Sequence, residues 1–317
     1  PDTLDTQGRA VVTHLPKTYL EAATSPHTRR AYQTDIRHFE KWGGQLPAQT
    51  DMILAYLHAY AATLNPRTLS RRLTALKHWH TYQGFIDPTA APAVAKTLAG
   101  IQRLHGRPKE KAPPLLPQQL AQIVTYLNEQ ATFMARRDAA LLQVGYFGAL
   151  RRSELVAIQY EHLNWQSDGI ELMIPHSKTD PTGEGQVCVL PYGHETLCPI
   201  TAFKQWLDAA KIKSGNCFRA IIGKDKIQST PLTAEMVTLI LRRHAAASGI
   251  EQAEKLSSHS LRRGLATSAA RDGASMPAIM RQGRWKNVNT VMEYIDAANR
   301  FDDNAAAFVL NEVVENE

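Results

Sequence analysis

The sequence predicts a mainly α-helical protein of two domains with a small antiparallel β-hairpin or sheet. Three observations lead to this fold class. Apolar residues recur at helical spacing through most of the chain, between residues typical of helix ends. Two β-patterned runs flank one polar turn. A basic, proline-rich stretch without periodicity separates two helical regions.

The composition favours a globular protein with a polyanionic partner. A chain of 317 residues is long enough for two ordinary domains, and 44% hydrophobic residues suffice for a core in each. Thirty-six Lys and Arg against 30 Asp and Glu leave a charge of +6. The three cysteines form no CxxC pair, no apolar run approaches the roughly 20 residues of a membrane span, and the first ten residues lack a signal pattern. We therefore expect a cytoplasmic protein.

Four helices are predicted in the first region. Ser25 is suited to cap the first of them, Pro26 to open it and Gly43 to end it. A second helix follows in TDMILAYLHAYAATL and a third begins at Asn65, while a weaker segment covers residues 93–103.

The third helix carries one apolar and one basic face. Leu69, Leu73 and Leu76 share a face, and basic residues follow another at the same spacing. For a single helix, an ordinary solvated face is the more common interpretation. Because the first helix repeats the basic pattern, the pair favours a helical module that grips a DNA backbone. The residues expected to contact DNA are Arg29, Arg30, Arg37, Arg67, Arg71, His78, Arg107 and Lys109.

An exposed linker is expected between the two domains. The stretch RLHGRPKEKAPPLLP is basic, ends in prolines and shows no periodicity. Beyond it come helices, then the runs GIELMIP and QVCVLP around the turn HSKTDPTGEG, and then only helices. The predicted organisation is a flexible tail at 1–18, a helical domain at 19–105, a linker at 106–117 and a second domain at 118–317.

Two places in the second domain carry charged groups that suit chemistry. In GALRRSELVAIQ, Arg151 and Glu154 are three residues apart and share a helical face. Lys178 stands at the tip of the hairpin turn. Each has a plainer interpretation, an intrahelical ion pair for the first and a solvated lysine for the second.

Two further places follow near the end of the chain. His259 and Arg262 are one helical turn apart after a Ser-Ser pair that can cap a helix. Trp285 lies in RQGRWKNVN, and Tyr294 follows in VNTVMEYID. Taken alone, the first pair is typical of a solvated surface and Tyr294 of a core aromatic.

Together and in this order, the four places resemble the motifs of the tyrosine recombinase (phage integrase) family. That family has an arginine in an LR-x-x-E helix, a lysine in a β-hairpin, His-x-x-Arg, a His or Trp after a glycine, and a tyrosine soon after. The corresponding residues here are Arg151 with Glu154, Lys178, His259 with Arg262, Trp285 and Tyr294. The chain departs from the pattern at Arg263, where many members have histidine, and at Ala149, where glycine is commoner.

The resemblance implies a two-domain, C-shaped DNA clamp made of a helical core-binding domain and a catalytic domain. It implies that Tyr294 is the nucleophile and that Lys178 delivers a proton to the departing 5′ oxygen. Arg151 and Arg262 fit phosphate oxygens, and His259 is suited to handle the tyrosine proton. Trp285 can only donate through its indole N–H, and Glu154 is expected to orient neighbouring basic groups. No metal or other cofactor is expected, since two arginines can do the work of metal ions.

The resemblance further implies a site-specific DNA recombinase associated with double-stranded DNA. It implies a 3′-phosphotyrosine intermediate, a Holliday junction and a homotetramer on two sites, with a monomer or weak dimer in the free state. The apolar segment from Ala306 to Leu310 is expected to dock into a neighbouring subunit. Two alternatives remain at this point: a non-catalytic DNA-binding regulator on the same fold, and a strand transferase of the telomere resolvase or topoisomerase IB type.

Overall fold

The chain folds into two compact units that divide between Glu110 and Lys111, within the stretch 106–117 expected to act as a linker. The computed structural model describes residues 24–108, 110–175, 185–194, 196–223, 226–298 and 306. The flexible tail predicted at 1–18 lies outside these residues, as does the final apolar segment apart from Ala306.

The first unit is helical throughout its described regular structure. Its helices are α1 (Pro26–Trp42), α2 (Thr50–Tyr60), α3 (Pro66–Tyr82) and α4 (Pro92–His105), with one 3₁₀ turn at Pro88–Ala90. The predicted helix ends are confirmed: the Ser25 hydroxyl accepts the Thr28 N–H at 3.1 Å, and Gly43 closes α1 with a φ of 111°. Such a left-handed backbone favours glycine at that position.

The core of the first unit uses the apolar face predicted for α3. Leu69, Leu73 and Leu76 are buried and pack with Phe39 of α1 and Leu57 of α2. The amphipathic pattern of α3 therefore does define its inner face.

A polar network lies beside this core. The Asp35 carboxylate receives two hydrogen bonds from the Arg71 guanidinium, at 2.8 and 2.9 Å, and lies 3.6 Å from Arg72. Arg72 in turn donates to the Tyr56 hydroxyl at 2.9 Å and lies 2.7 Å from the His38 ring. Buried charges of this kind are stable only while each has its partner.

The second unit combines helices with two small antiparallel sheets. The described helices are α5 (Pro117–Asn128), α6 (Phe133–Phe147), α7 (Arg152–Val156), α8 (Pro199–Ala209), α9 (Ala234–Ala247), α10 (Ser258–Arg271), α11 (Met276–Gly283) and α12 (Val288–Ala298). The described strands are β1 (Leu163–Gln166), β2 (Gly169–Ile174), β3 (Gln186–Pro191), β4 (Arg219–Ile222) and β5 (Lys226–Pro231).

The predicted hairpin is confirmed, and two additional strand features correct the prediction. β2 and β3 pair in the antiparallel sense, with Leu172 opposite Cys188, and β1 adds a third strand on the free edge of β2. The expectation of helices only from CPITAFKQWLDAAK onward is wrong, because β4 and β5 form a second hairpin between α8 and α9. The described parts of the chain nevertheless have the predicted fold class, mainly α with small antiparallel sheets.

Helix α6 is the centre of the second unit. Its residues from Ala135 to Tyr146 are buried except Arg136, so side chains on all sides of the helix contact other elements. A helix buried all round carries no amphipathic pattern. Trp206 of α8 packs in the same core and donates its indole N–H to the Cys217 carbonyl at 2.8 Å.

The chain segment that enters the second unit runs along α10. Leu115 N–H donates to the Ser260 carbonyl at 3.0 Å, and the Arg263 guanidinium donates to the Ala112 carbonyl at 2.6 Å. The approach is closest at Gly264, where a Cβ atom would lie 2.1 Å from the Leu115 carbonyl oxygen and 2.7 Å from the Tyr146 ring. Glycine is therefore required here because there is no room for a Cβ atom, and not because of its backbone conformation.

Replacing this glycine tests the close approach. We expect Gly264→Ala to lower the free energy of unfolding by about 1–3 kcal/mol, because the added methyl must push backbone apart. Gly100→Ala is the matched control, since Gly100 also lies within a helix but faces open space. Helix propensity alone predicts that the free energy of unfolding of Gly100→Ala rises by up to about 1 kcal/mol. Calorimetric melting temperatures that rose for both variants would contradict the packing argument.

His38 makes the first unit sensitive to acid. Burial, helped by the Arg72 charge, lowers the pKa of His38 from its ordinary 6.5. The unfolded chain then binds the proton at a higher pH than the folded one, so stability present above pH 6.5 is lost as the pH falls. We expect the melting temperature of the wild type to drop more between about pH 7 and 5 than that of His38→Gln. If the melting temperatures of the two proteins fell equally with pH, His38 would not be the cause of the acid sensitivity.

Candidate active site

Arg151 and Glu154 meet at the start of α7. Arg151 precedes the helix as its N-cap and does not lie within it, which differs from the predicted shared helical face. The Glu154 carboxylate accepts the Arg151 backbone N–H at 3.0 Å and the guanidinium at 2.5 Å. The Glu154 side chain is only 2% exposed, whereas that of Arg151 is 21% exposed. The Arg151 side chain thus remains partly exposed while the Glu154 carboxylate binds its guanidinium.

Arg262 is buried on α10, and His259 is exposed one turn before it. The Ser257 hydroxyl caps this helix and accepts the His259 N–H at 3.2 Å, as the Ser-Ser pair predicted. The Arg262 guanidinium donates to two backbone carbonyls, those of Ala149 and Gly283. Arg262 thereby connects the turn before Arg151 with the end of α11.

Trp285 and Tyr294 lie on the other side of Arg262. The Arg262 guanidinium carbon is 4.1 Å from the centre of the Trp285 ring, a cation–π contact, and that ring is 5.6 Å from the Tyr294 ring. Tyr294 is half-buried against a small apolar cluster that includes Ala266 and Val291. Tyr146 shows what a wholly structural tyrosine looks like here: it is fully buried, bonds Ser268 and has its pKa raised by burial to about 12.

Arg284 is a site residue that the sequence analysis missed. Its side chain is 5% exposed, and its guanidinium lies 3.5 Å from the Glu154 carboxylate, which Arg151 also contacts. In the sequence it is one basic residue in RQGRWK, a stretch with the composition of a solvated helix end. Only the three-dimensional proximity of α11 and α7 shows that it is buried. We name Arg151, Arg262 and Arg284 the arginine cluster.

The electrostatics of the arginine cluster favour an anionic ligand. Burial raises the pKa of Glu154, but the hydrogen bonds and charge of Arg151, together with the charge of Arg284, outweigh burial and hold that pKa below its ordinary value. Burial, together with the charges of Arg151 and Arg284, lowers the pKa of Arg262 to about 9. At neutral pH, three guanidinium groups face one carboxylate, which leaves two positive charges in excess. A phosphodiester bound there would relieve this repulsion.

The structure thus brings together Arg151, Glu154, Arg262, Trp285 and Tyr294. Lys178 lies outside the described residues. Within the described part of the chain, no group of three or more His, Cys, Asp or Glu side chains is arranged to hold a metal ion. The helices of that same part include none long and apolar enough to cross a membrane.

The residues expected to contact DNA differ in how accessible their charges are. Arg71 is 54% exposed at its side chain, yet its guanidinium is bound through two hydrogen bonds to Asp35. The Arg67 guanidinium donates to the Arg107 carbonyl at 3.1 Å. Arg30, Arg37, Arg67 and Arg107 are exposed, Arg29 and His78 are partly buried, and Lys109 lies outside the described residues.

Comparisons with known proteins identify the family. The Phage integrase family profile matches residues 114–300, and that of the phage integrase N-terminal SAM-like domain matches residues 17–83. An integrase/recombinase XerD homolog of Selenomonas ruminantium is 35% identical over 298 residues, which covers 91% of this chain and 87% of the relative. The chain therefore belongs to the phage integrase family, that of the tyrosine recombinases, and is a site-specific DNA recombinase.

A second relative, Cre, is less similar to this chain than the motif around Trp285 predicts. The recombinase Cre of Escherichia phage P1 is 25% identical over 297 residues, covering 86% of this chain and 84% of Cre. The motif around Trp285, with tryptophan in place of the usual histidine, predicts that Cre is the nearest relative. Cre is a distant homologue, however, because the XerD homolog is 35% identical over 298 residues whereas Cre is 25% identical over 297.

Solved structures support the fold. A lambda integrase dimer bound to a COC' core site has a TM-score of 0.59 at 18% identity and covers 91% of this chain and 77% of its own. The Tn1549 transposon integrase in complex with transposon right end DNA has a TM-score of 0.60 at 15% identity. The match covers 90% of this chain and 95% of that integrase chain. These likenesses concern the two-domain architecture of the integrases.

Glu154 provides a test of the site's electrostatics. Glu154→Gln keeps the shape of the side chain but removes the negative charge that faces Arg151 and Arg284. We expect the free energy of unfolding in urea to fall by about 3 kcal/mol, because the buried Arg284 and the partly buried Arg151 lose their counter-ion. Glu235→Gln is the control, since Glu235 pairs with Arg152 at 3.7 Å on the surface and should change stability by less than about 1 kcal/mol. Equal losses in the two variants would count against a buried ion cluster.

Proposed function

We propose that the protein cleaves and rejoins DNA strands through a covalent bond between Tyr294 and a 3′ phosphate. The single observation that carries this proposal is the arginine cluster beside Tyr294, with Arg262 stacked on the ring that contacts the tyrosine. A phosphodiester bound to Arg262 and Arg151 would lie within reach of a half-buried tyrosine hydroxyl. This arrangement suits nucleophilic attack at phosphorus.

In the cleavage step, the Tyr294 hydroxyl oxygen attacks the scissile phosphorus as its proton leaves. The bond from phosphorus to the 5′ oxygen breaks, and that oxygen takes a proton to become a free hydroxyl. The products are a 3′-phosphotyrosine ester and a 5′-hydroxyl end. A 5′ hydroxyl from a partner duplex can attack the ester, release the tyrosine and restore a phosphodiester, so no external energy source is needed.

The arginines would supply charge stabilisation. The pentavalent phosphorane carries one more negative charge than the diester, so fixed cations favour the transition state over the ground state. Arg151 is held by the Glu154 carboxylate and is partly exposed, and Arg262 is held by two backbone carbonyls. Guanidinium forks held in place in this way lose little freedom when they bind phosphate oxygens.

The proton transfers are assigned to two residues. His259 is exposed at the first turn of α10, three residues before Arg262, and is proposed to accept the tyrosine proton or bind a phosphate oxygen. Lys178, which follows β2 in the sequence, is proposed to protonate the departing 5′ oxygen. Trp285 donates only through its indole N–H, so it would bind a phosphate oxygen or orient Arg262 without moving protons.

The DNA would be held by the basic faces of α1 and α3. Arg30, Arg37 and Arg67 are exposed and are proposed to bind backbone phosphates. Arg71 is the weakest member of the predicted set, because Asp35 already balances its charge. The number of free cations on this surface would set the salt dependence of binding.

One nucleophilic tyrosine per chain would cut one strand, so exchange between two duplexes requires four protomers. We therefore propose a homotetramer on two DNA sites and a Holliday junction between the two rounds of exchange. The apolar segment from Ala306 to Leu310, which lies largely outside the described residues, is proposed to connect neighbouring protomers. The related XerD homolog and Cre support recombination as the outcome of this chemistry.

A covalent trapping experiment tests the proposal. Purified protein is incubated with nicked suicide duplexes of DNA from its own genomic surroundings, and covalent adducts are resolved on denaturing gels. We expect an adduct with the wild type and a loss of about 10³-fold or more for Tyr294→Phe, because phenylalanine has no nucleophile. Tyr192→Phe is the matched control, since Tyr192 is an exposed tyrosine of the same unit and should be dispensable.

Two results would overturn the proposal. An adduct that persists in Tyr294→Phe would mean that another residue is the nucleophile. Sequence-specific binding by the wild type without any adduct would leave a DNA-binding regulator on this fold.

A further inference from the structure

Arg284 occupies a backbone conformation that glycine adopts far more readily than arginine. It follows the last residue of α11 with φ 54° and ψ 42°, in the left-handed region. This conformation brings the Cβ of any residue other than glycine close to its own backbone. Arg284 is nevertheless 92% buried, since its relative exposure is 8%. Glycine would be enough to end the helix at this position, so the arginine side chain needs an explanation of its own.

The Arg284 guanidinium fastens the end of α11 to the turn before α7. Nη1 donates to the Gln282 carbonyl at 2.9 Å, and Nη2 lies 3.1 Å from the Gly148 carbonyl oxygen and 3.3 Å from that of Ala149. Nη2 is also 3.5 Å from the Glu154 carboxylate. Four acceptors from two distant parts of the sequence therefore converge on one side chain.

Two of these acceptors are shared with the proposed catalytic arginines. The Ala149 carbonyl also accepts from Arg262, and the Glu154 carboxylate also accepts from Arg151. Arg284 is thus the neighbour through which the positions of Arg151 and Arg262 are connected. Ala149 itself has a left-handed φ of 43°, so two unfavourable backbone conformations meet at this contact. Strain of this kind gathers where the chain must hold a site in shape.

Charge argues against a purely structural role. Arg284 adds a second buried guanidinium, after Arg262, to a site in which Glu154 is the described carboxylate, and its charge opposes that of Arg262. Its Nε is buried without a hydrogen-bond partner among the described residues. Glycine would fit the backbone and add no buried charge, but it could not bind the acceptors that Arg284 shares with Arg151 and Arg262.

We infer that Arg284 is a positioning residue for strand cleavage, which holds Arg151 and Arg262 at the spacing that the scissile phosphate requires. This inference rests on the cleavage chemistry proposed above. Arg284 acts through its shared acceptors and does not itself need to touch the DNA. Its loss should therefore lower the rate of the chemical step far more than the affinity for DNA.

The test compares Arg284→Gly and Arg284→Lys with the wild type on the suicide duplexes. Single-turnover cleavage rates are measured at saturating protein, DNA affinity by fluorescence anisotropy, and folding by melting temperature. Lys211→Gly is the matched control: Lys211 is another cation in left-handed backbone, at φ 53° just after a helix, but it is exposed. We expect the control to cleave at the wild-type rate.

We expect Arg284→Gly to cleave about 10²-fold more slowly than the wild type. Its Kd for DNA should stay within about threefold of the wild-type value. Arg284→Lys should recover part of the rate, about tenfold below the wild type, because lysine keeps the charge but not the fork. If Arg284→Gly melts below the assay temperature, Arg284→Lys carries the comparison alone.

An Arg284→Gly variant that cleaves at the wild-type rate would overturn the inference, and so would an Arg284→Lys variant that does. Equal losses of rate and affinity in either variant would also overturn it. These results are separate from a failure of the proposed function, in which the wild type itself would form no adduct.

Discussion

One buried carboxylate determines how the second unit arranges its charges. Glu154 faces Arg151 and Arg284 at once, and the start of α7 and the end of α11 are joined across it. Buried charges cost several kcal/mol each unless they are paired, so these segments cannot separate without exposing the groups to water or leaving them unpaired. Arg262 is drawn into the same arrangement through the Ala149 carbonyl. The geometry of the site thus depends on polar contacts rather than on the depth of the apolar core.

The apolar packing around Tyr294 is small by comparison. Trp285 and Tyr294 border a cluster of four buried residues, Ala266, Ala270, Ile279 and Val291, which is separate from the large core around α6. Segments with few buried apolar contacts open at lower free energy than the rest of a domain. The helix that carries Tyr294 is therefore among the elements that can shift without unfolding the unit. Such a support suits the role proposed for Tyr294, whose side chain would have to move to reach a phosphate and to be released from it.

Local signals account for what the sequence predicted well. Ser25 and Pro26 define a helix start through groups within the same turn, and the leucines of α3 define its inner face through spacing alone. The hairpin of β4 and β5 was missed because four residues, Arg219–Ile222, are too short to show alternation. The ion pair of Arg71 and the burial of Arg284 were missed for another reason: Asp35 and Glu154, which bind them, lie 36 and 130 residues away in the chain. The order of the catalytic motifs predicted the family, but no periodicity could predict which basic residues become buried.

The close approach at Gly264 also has a mechanical consequence. The chain enters the second unit along α10 and is attached by Leu115 to Ser260 and by Ala112 to Arg263, while Lys111 bonds Glu293 of α12, the residue before Tyr294. The segment that follows Glu110 is therefore bonded to both helices that carry Arg262 and Tyr294, and its Leu115 side chain is also part of the large core. A displacement of this segment would therefore act on the relative position of α10 and α12, and with it on the spacing between Arg262 and Tyr294.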